Sequence, residues 1–371
     1  MVLPAETTFP GPRASLPWPP FATAALDVEG VGPLGGENTT VERPLASVAK
    51  LVTALVVLKQ HPLSIGESGP SITVTPAEVA AYKADAAEHQ SVVAVAAGER
   101  LSELQALEAM LIPSANNVAR ILARWSAGSV PAFVADMNAE AAALGLHHTH
   151  LVGPSGLNPG SIGTAPDMVR LGEAVLANPL LAQIVQMPQV TLPVAGTVYN
   201  YDYALGHDGI IGIKTGSTTG AGGNFVFAAR RLIAGRSVTV VGAVLGATGA
   251  QPLTSALSAG EALANAAFGQ LRVATVLPKG RPVVVVRAKW AAQVVARTSR
   301  PVSLFGFPGE LVHIEVERAA ALASAKVTKL AAGERLATVR VQAGAQVGAA
   351  PVLAPGPLPP APLKWRFERG L

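Results

Sequence analysis

Ser47 and Lys50 stand three residues apart in the string Ser47-Val48-Ala49-Lys50. A serine hydroxyl is a weak nucleophile until a neighbouring base takes its proton, and a lysine amine can be that base. On a helix this spacing puts both side chains on one face, about 5–6 Å apart at Cβ. The amine works as a base only if its pKa is depressed. The apolar run from Leu51 to Leu58 would desolvate it, and a second cation nearby would disfavour its charged form. A second motif, Ser114-Ala115-Asn116, offers another hydroxyl, able to relay a proton to a leaving amine, and an amide that both donates and accepts. A third, Lys214-Thr215-Gly216, supplies a fixed positive charge and a hydroxyl donor suited to a carboxylate. Gly216 lets a substrate strand approach the backbone closely. The backbone N–H of the following Ser217 could join that of Ser47 in an oxyanion hole. Together these groups are equipped for acyl transfer through a covalent serine ester without histidine, metal or cofactor.

Such a set must be held by rigid elements. Pro44 precedes a helical stretch predicted from Ala46 to Leu58, and its position near a helix start is tolerated. Ser47 then sits near a helix N-terminus, where the positive dipole end favours a developing oxyanion. Leu104, Leu107 and Leu111 share one face of a second predicted helix, Leu101 to Ile112, which Pro113 ends. The Ser114 motif therefore falls on a connection, where Asn116 could cap the next helix. Ile210 to Thr215, Asn224 to Ala229 and Val238 to Val244 read as strands, the first two joined as a hairpin by the Gly220–Gly223 turn. The expectation is an α+β arrangement, a helical cluster packed on an antiparallel sheet.

The 371 residues are 50% hydrophobic and 14% charged, a globular composition that can bury a substantial core. The net charge of +4 is spread without a Lys/Arg run, which argues against a nucleic-acid partner. The chain has no cysteine, which excludes disulfides, thiol catalysis and Cys-ligated zinc. No apolar run is long enough to span a bilayer. Residues 1–20 are rich in proline and read as a loose leader, residues 21–270 hold all three motifs, and residues 271–352 read as a small all-β domain. Within the last, Pro282–Arg287, Leu311–Val316 and Leu336–Val341 are short β-branched runs between turns. Residues 353–371 hold a stiff proline-rich spacer, Pro355 to Pro362, and the tail Lys364-Trp365-Arg366-Phe367-Glu368-Arg369.

The three motifs, in this order and at these separations, resemble those of the penicillin-recognising serine enzymes, and among them the D-alanyl-D-alanine carboxypeptidases. Met137-Asn138, Leu144-Gly145-Leu146, Thr149-His150 and Pro154-Ser155-Gly156-Leu157 are similar to segments of the same family. Thr164-Ala165-Pro166-Asp167 reads as a capping box that opens the next helix, and Ala24-Ala25-Leu26 as the opening of a first strand. The resemblance covers residues 21–270, with the all-β module after it also similar to the family's C-terminal domain. It implies a β-lactamase/transpeptidase-like catalytic domain. Ser47 would attack the penultimate D-alanine carbonyl of a cell-wall stem peptide, with Lys50 as base and Ser114 relaying a proton to the departing D-alanine. Lys214 and Thr215 would hold the terminal carboxylate, with Asn116, Gly216 and Ser217 lining the site. β-Lactams would acylate the same serine and leave slowly. Two positions depart from related enzymes: Ala115 stands where Gly or Asp is common, and Ser217 where some carry histidine.

This reading places the protein outside the cytoplasmic membrane. Met1-Val2-Leu3-Pro4 has neither a basic n-region nor an apolar h-region, so an export segment is expected to have been removed. The tail, with Trp365 and Phe367 among Lys364, Arg366 and Arg369, could touch a membrane interface. Three rival readings share the motifs: a β-lactamase, an endopeptidase for cross-linked wall peptides, and a non-catalytic penicillin-sensing or wall-binding module. The first would use Glu-x-x-Leu-Asn, and the nearest string, Glu173-Ala174-Val175-Leu176-Ala177-Asn178, is one residue too long. The cluster His147-His148-Thr149-His150 lacks the spaced acidic partners of a metal site, and the family resemblance makes His150 structural.

Overall fold

The computed structural model describes residues 3–12, 15–290, 292–319 and 330–368. Its centre is a five-stranded antiparallel sheet built from β2 (Thr23–Val28), β3 (Gly32–Glu37), β10 (Ile210–Thr218), β11 (Gly222–Ile233) and β12 (Arg236–Ala247). Their order is β10-β11-β12-β2-β3, so the Lys214 strand is an edge. Strand alternation sends Phe225, Phe227 and Ala229 to one face and Val226 and Ala228 to the other. The first face packs on α8 (Pro252–Gln270) through Leu263, Ala264 and Phe268. The second packs on the helical cluster: α1 (Lys50–Gln60), α2 (Pro76–Ala87), α3 (Glu103–Leu111), α4 (Asn116–Ala127), α5 (Val130–Ala143), α6 (Ala165–Ala177) and α7 (Pro179–Ile184). Because both faces are covered, the middle strands read as continuous apolar runs.

The expected elements shift at their ends for local reasons. The predicted helix from Ala46 divides into one turn of 3-10 helix, Ala46–Ala49, and then α1. The second helix starts at Glu103, not Leu101, because Ser102 and Gln105 form a capping box there. Three short pairings fasten the loops: β4 (Arg43–Pro44) with β7 (Ile162–Gly163), β5 (Ser71–Thr73) with β6 (Arg100–Ser102), and β8 (Gln189–Leu192) with β9 (Gly196–Tyr199). The first of these sets the residues before Ser47 against the loop that follows α5.

A separate core is built on a six-stranded sheet in the order β1-β17-β18-β19-β15-β14. Its strands are β1 (Glu6–Thr8), β14 (Pro282–Arg287), β15 (Gln293–Thr298), β17 (Leu311–Arg318), β18 (Arg335–Ala343) and β19 (Gln346–Leu353). A two-stranded pair, β13 (Arg272–Leu277) with β16 (Val302–Gly306), completes it. The N-terminal stretch is thus not a loose leader where it is described. Glu6, Thr7 and Thr8 pair with His313, Val312 and Leu311, and Phe9 is buried in this core. The proline-rich spacer is likewise docked. Leu358 is buried, its N–H donates to the Leu330 carbonyl, and Trp290 Nε1 donates to the Pro359 carbonyl at 2.9 Å. The tail forms α9 (Leu363–Phe367), with Trp365 set edge-on to Trp290 at 5.5 Å between ring centroids. Arg369 of the tail, and Met1, Val2, Arg13 and Ala14 of the N-terminal stretch, lie outside the described residues. Among the described residues no helix is long and apolar enough to cross a membrane.

Candidate active site

The nucleophile turn is held from three sides. Leu45 N–H donates to the Ser161 carbonyl at 2.8 Å. Asn224, buried on β11, donates from Nδ2 to the Pro44 carbonyl at 2.9 Å and accepts from Gly246 N–H at 2.7 Å. Gly216 on the edge strand lies so close that a Cβ there would be 2.9 Å from the Ser47 nitrogen. The close approach that this glycine permits is therefore that of the nucleophile turn itself, where a substrate strand was expected. Ala46 carries a left-handed φ of 45° immediately before the nucleophile, a conformation that persists only where the surroundings over-determine it.

A 3-10 turn has three residues per turn, so Ser47 and Lys50 eclipse one another. The Lys50 Nζ lies 2.7 Å from Ser47 Oγ. It also donates to Asn116 Oδ1 at 2.7 Å and to the Ser155 carbonyl at 3.0 Å, and Ser114 Oγ is 3.5 Å away. Lys50 is fully buried, which drives its pKa well below the usual lysine range, and the positive charges of Lys214 and Arg120 push it further the same way. Every neighbour that takes a hydrogen bond from it is neutral. A neutral amine has two N–H donors and one lone pair. The Asn116 and Ser155 oxygens can only accept, so they use both donors, and the lone pair is left for the Ser47 hydroxyl proton.

Ser114 follows the end of α3, nearly buried, with φ of 62°. Ala115 N–H donates to the Ala109 carbonyl, which closes the helix end. Asn116 was expected to cap α4, but Ala115 occupies the cap position and Asn116 is the first helical residue. Its amide oxygen turns to Lys50, and its Nδ2 donates to Gln90 Oε1 at 3.2 Å. On the far side, Lys214 is buried on β10 and donates to the Thr215 carbonyl at 3.0 Å. Burial lowers its pKa to about 8, while the Asp202 carboxylate holds it up. Thr215 is buried next to it and Ser217 is exposed at the rim. Of the eight residues singled out in the sequence, Ser47, Lys50, Ser114 and Asn116 meet through side chains. Gly216 meets Ser47 through backbone, and Lys214 acts on Lys50 through its charge.

Further groups complete the site. The Ser155 carbonyl carries no residue-type signature and could not be read from the sequence. Thr53, one turn along α1 from Lys50, donates to the Pro154 carbonyl at 2.7 Å and so fixes the loop that presents Ser155. Asn138 pairs with Leu151 through both its amide atoms, at 2.8 Å and 3.0 Å, which anchors the other end of that loop. The capping box expected at Thr164 does not form. Asp167 Oδ2 instead accepts from His148 N–H and from Thr149 Oγ1, each at 2.8 Å, tying α6 to the His-rich stretch. His150 exchanges backbone hydrogen bonds with Ile162, a structural role.

A buried lysine 2.7 Å from the half-buried serine three residues before it, set between a helical cluster and the edge of an antiparallel sheet, is the arrangement of a penicillin-recognising serine enzyme. Residues 31–249 match the family model for D-alanyl-D-alanine carboxypeptidases, and the chain belongs to that family. A D-alanyl-D-alanine carboxypeptidase of Mycobacterium tuberculosis is 36% identical over 230 residues, 59% of this chain and 75% of that protein. A D-alanyl-D-alanine endopeptidase of Pseudomonas aeruginosa is 33% identical over 193 residues, which cover 51% of this chain and 59% of that one. Among solved structures, a D-alanyl-D-alanine carboxypeptidase of M. tuberculosis superposes with a TM-score of 0.58 at 30% identity, covering 70% of this chain and 94% of that one. Penicillin-binding protein 5 of Haemophilus influenzae shares the fold over 92% of this chain and 98% of its own, with a TM-score of 0.64 at 21% identity.

Proposed function

We infer that the chain works as a serine D-Ala-D-Ala carboxypeptidase, and that the residues gathered around Lys50 carry the reaction. The observation that supports this most directly is the Lys50 amine, buried and 2.7 Å from Ser47 Oγ, with two acceptor-only oxygens fixing its other hydrogens. Lys50 takes the Ser47 proton as Oγ bonds to the carbonyl carbon of the penultimate D-alanine. The backbone N–H groups of Ser47 and Ser217 receive the oxyanion. Collapse breaks the C–N bond, and the departing amine of the terminal D-alanine takes a proton through Ser114. Lys214 and Thr215 hold the terminal carboxylate throughout. Water then attacks the ester and returns the proton to Ser47. The substrate is the stem peptide of peptidoglycan, which places the enzyme on the outer side of the cytoplasmic membrane. β-Lactams present a carbonyl and a carboxylate to the same groups and act as covalent inhibitors. The exposed Leu363 and Phe367 of α9, beside Lys364 and Arg366, give the tail an amphipathic surface suited to peripheral membrane contact.

The test is intact-protein mass after incubation with penicillin, together with D-alanine release from a blocked tripeptide ending in D-Ala-D-Ala. The expected result is one penicilloyl adduct and D-alanine release in the wild type, and neither in Ser47→Ala. Rapid penicillin loss without a lasting adduct would show a β-lactamase. Cleavage of a cross-linked muropeptide in preference to the tripeptide would show an endopeptidase.

A further inference from the structure

As a base, Lys50 takes the Ser47 proton only while its lone pair faces Oγ, so its other partners must accept hydrogen bonds and not donate them. The Ser155 carbonyl can only accept. Asn116 can do either, because its amide carries an oxygen on one side and two N–H donors on the other. Asn116 is 4% exposed, and its Oδ1 faces Lys50 Nζ at 2.7 Å. Turned over, the amide would aim Nδ2 at the amine, donate into the lone pair and displace the Ser47 hydroxyl. The two orientations fill nearly the same space, so shape does not choose between them.

What chooses is a chain of hydrogen bonds that runs outward from the site. Asn116 Nδ2 donates to Gln90 Oε1 at 3.2 Å, and Gln90 Nε2 donates to Glu88 Oε2 at 2.9 Å. A carboxylate can only accept, so Glu88 turns the Gln90 oxygen inward, and that oxygen in turn demands the Nδ2 of Asn116. With Asn116 reversed, two amide oxygens would face each other. Gln90 is half-buried, directly after the turn that ends α2, and the chain around it is held without its side chain. Its N–H donates to the Asp85 carbonyl at 3.0 Å. The carbonyl of the next residue, Ser91, accepts from Asn116 N–H at 2.8 Å, one of the donors a helix leaves open at its N-terminus. Asn117 grips Val93 through both amide atoms, accepting from its N–H at 3.2 Å and donating to its carbonyl at 2.9 Å. The ion pairs Asp85–Arg120 and Glu78–Arg124 fasten α2 itself to α4.

We propose that Gln90 is a positioning residue: its side-chain oxygen holds the Asn116 amide with its own oxygen towards Lys50, which keeps the lysine lone pair open to Ser47. Gln90 acts through Asn116, and its role rests on the assignment of Lys50 as base made above. The consequence for pH follows from the states available. An ammonium has three donors and no lone pair, so it accepts only the oxygen-facing amide, with or without Gln90. A neutral amine tolerates both orientations once Gln90 no longer chooses, and only one of them is reactive. Losing Gln90 therefore adds an unreactive state to the neutral amine alone. The plateau of the rate falls by some factor, and the Lys50 midpoint falls by the logarithm of the same factor. Where Lys50 is mostly ammonium, the rate is unchanged. The charges that act on Lys50, those of Lys214 on β10 and Arg120 on α4, are the same with and without Gln90.

The experiment measures the second-order rate of penicillin adduct formation against pH for the full-length wild type and for Gln90→Met, which keeps the length of the side chain and loses the acceptor. A hydrogen bond of this kind shifts an equilibrium by about tenfold. The variant should be about tenfold slower on the plateau, with its acid limb about one pH unit lower, and the two profiles should merge on the acid side. Damage to the loop would instead slow the variant at every pH, or admit water to Lys50 and move the limb upward. Either of those, or an undiminished plateau, overturns the proposal. Should Gln90→Met not fold, Gln90→Ala, too small to clash with the loop, is the second variant, and the same merging profile is required of it. A wild type that forms no adduct at any pH would defeat the carboxypeptidase reading itself. The role of Gln90 is then decided by the titration of Lys50, followed by NMR on lysine labelled at Cε, which needs no turnover. Its midpoint must lie about one pH unit lower in Gln90→Met, and an equal or higher midpoint overturns the proposal.

Discussion

Gly156 leaves no room for a side chain against Ala46: a Cβ at that position would lie 1.7 Å from the Ala46 carbonyl oxygen. The contact joins the loop that presents the Ser155 carbonyl to the backbone that aims Ser47. Both residues have left-handed φ values, 74° for Gly156 and 45° for Ala46, so neither can relax by a simple backbone rotation. Lys50, this loop and Ser47 are therefore one rigid unit, and their mutual distances are set by backbone packing as much as by side-chain hydrogen bonds.

Gly156→Ala must part that contact, displacing either Ala46 or Ser155. A displacement of about 1 Å at a nucleophile costs on the order of a hundredfold in rate. The rate of penicillin acylation should fall by about that factor, with a stability loss of about 2–4 kcal/mol from overpacking and strain. Gly98→Ala is the control. Gly98 has a similar φ of 79° but open space around it. It should lose only about 1 kcal/mol and acylate normally. Equal acylation rates in the two variants would refute the rigid-unit account.

The residue types of this site were legible in the sequence because their chemistry is local. Ser47 and Lys50 share a turn, and Lys214 to Ser217 share a strand, so spacing alone places them. The paired elements around them also followed from pattern: β10 to β12 show as apolar runs, and Pro282–Arg287 is a strand with the bounds expected of it. What stayed hidden depends on contacts distant in the chain. β1 is three residues of ordinary composition whose partner strand lies some three hundred residues away, and Phe9 is core only because of that pairing. The Ser155 carbonyl, the Asn224 clamp on Pro44 and the contact of Gln90 with Asn116 have no spacing rule that would reveal them. Asn116 and Asp167 were recognised as polar residues at helix starts and given local capping roles. Tertiary partners, Lys50 for one and His148 with Thr149 for the other, compete for those side chains and win.

On the proposed assignment of Lys50 as base, Asn116 sets the pH range in which that amine is available. Its Oδ1 is a neutral acceptor 2.7 Å from the Lys50 amine. Asn116→Asp keeps the shape and adds a negative charge at hydrogen-bonding distance, which favours the ammonium and raises the Lys50 pKa. The acid limb of the acylation profile should move up by at least about one pH unit, and the rate near pH 7 should drop about tenfold or more. Recovery at higher pH is cut short, because Lys214 loses its charge near 8. The wild-type bell should thus become narrower and lower in the variant. The measurement is the second-order rate of penicillin adduct formation against pH. A profile of unchanged width, merely scaled down, would mean that Asn116 acts on substrate geometry and not on the base.

Glu103 is a buried acid that the reaction does not use, and it sets a pH dependence of stability. It lies at the start of α3 with both carboxylate oxygens buried and without partners, under Gly69, where a Cβ would come within 2.7 Å of its Oε2. Burial raises its pKa from 4.5 to about 7. The folded state therefore holds a proton that the unfolded chain releases from about pH 4.5 upwards. Where the folded state binds more protons, stability falls as pH rises. The contribution is fully present below about pH 4.5, is lost progressively up to about 7, and is constant above. Its size is on the order of 2 kcal/mol. Glu103→Gln cannot ionise, so the urea midpoint of the variant, measured by circular dichroism, should gain on the wild type between about pH 5 and pH 8 and gain no more beyond. The acylation rate should be the same in both proteins at each pH, since Glu103 is at the opposite end of α3 from Ser114. A wild type and variant whose midpoints run parallel over that range would show that Glu103 does not titrate within the fold.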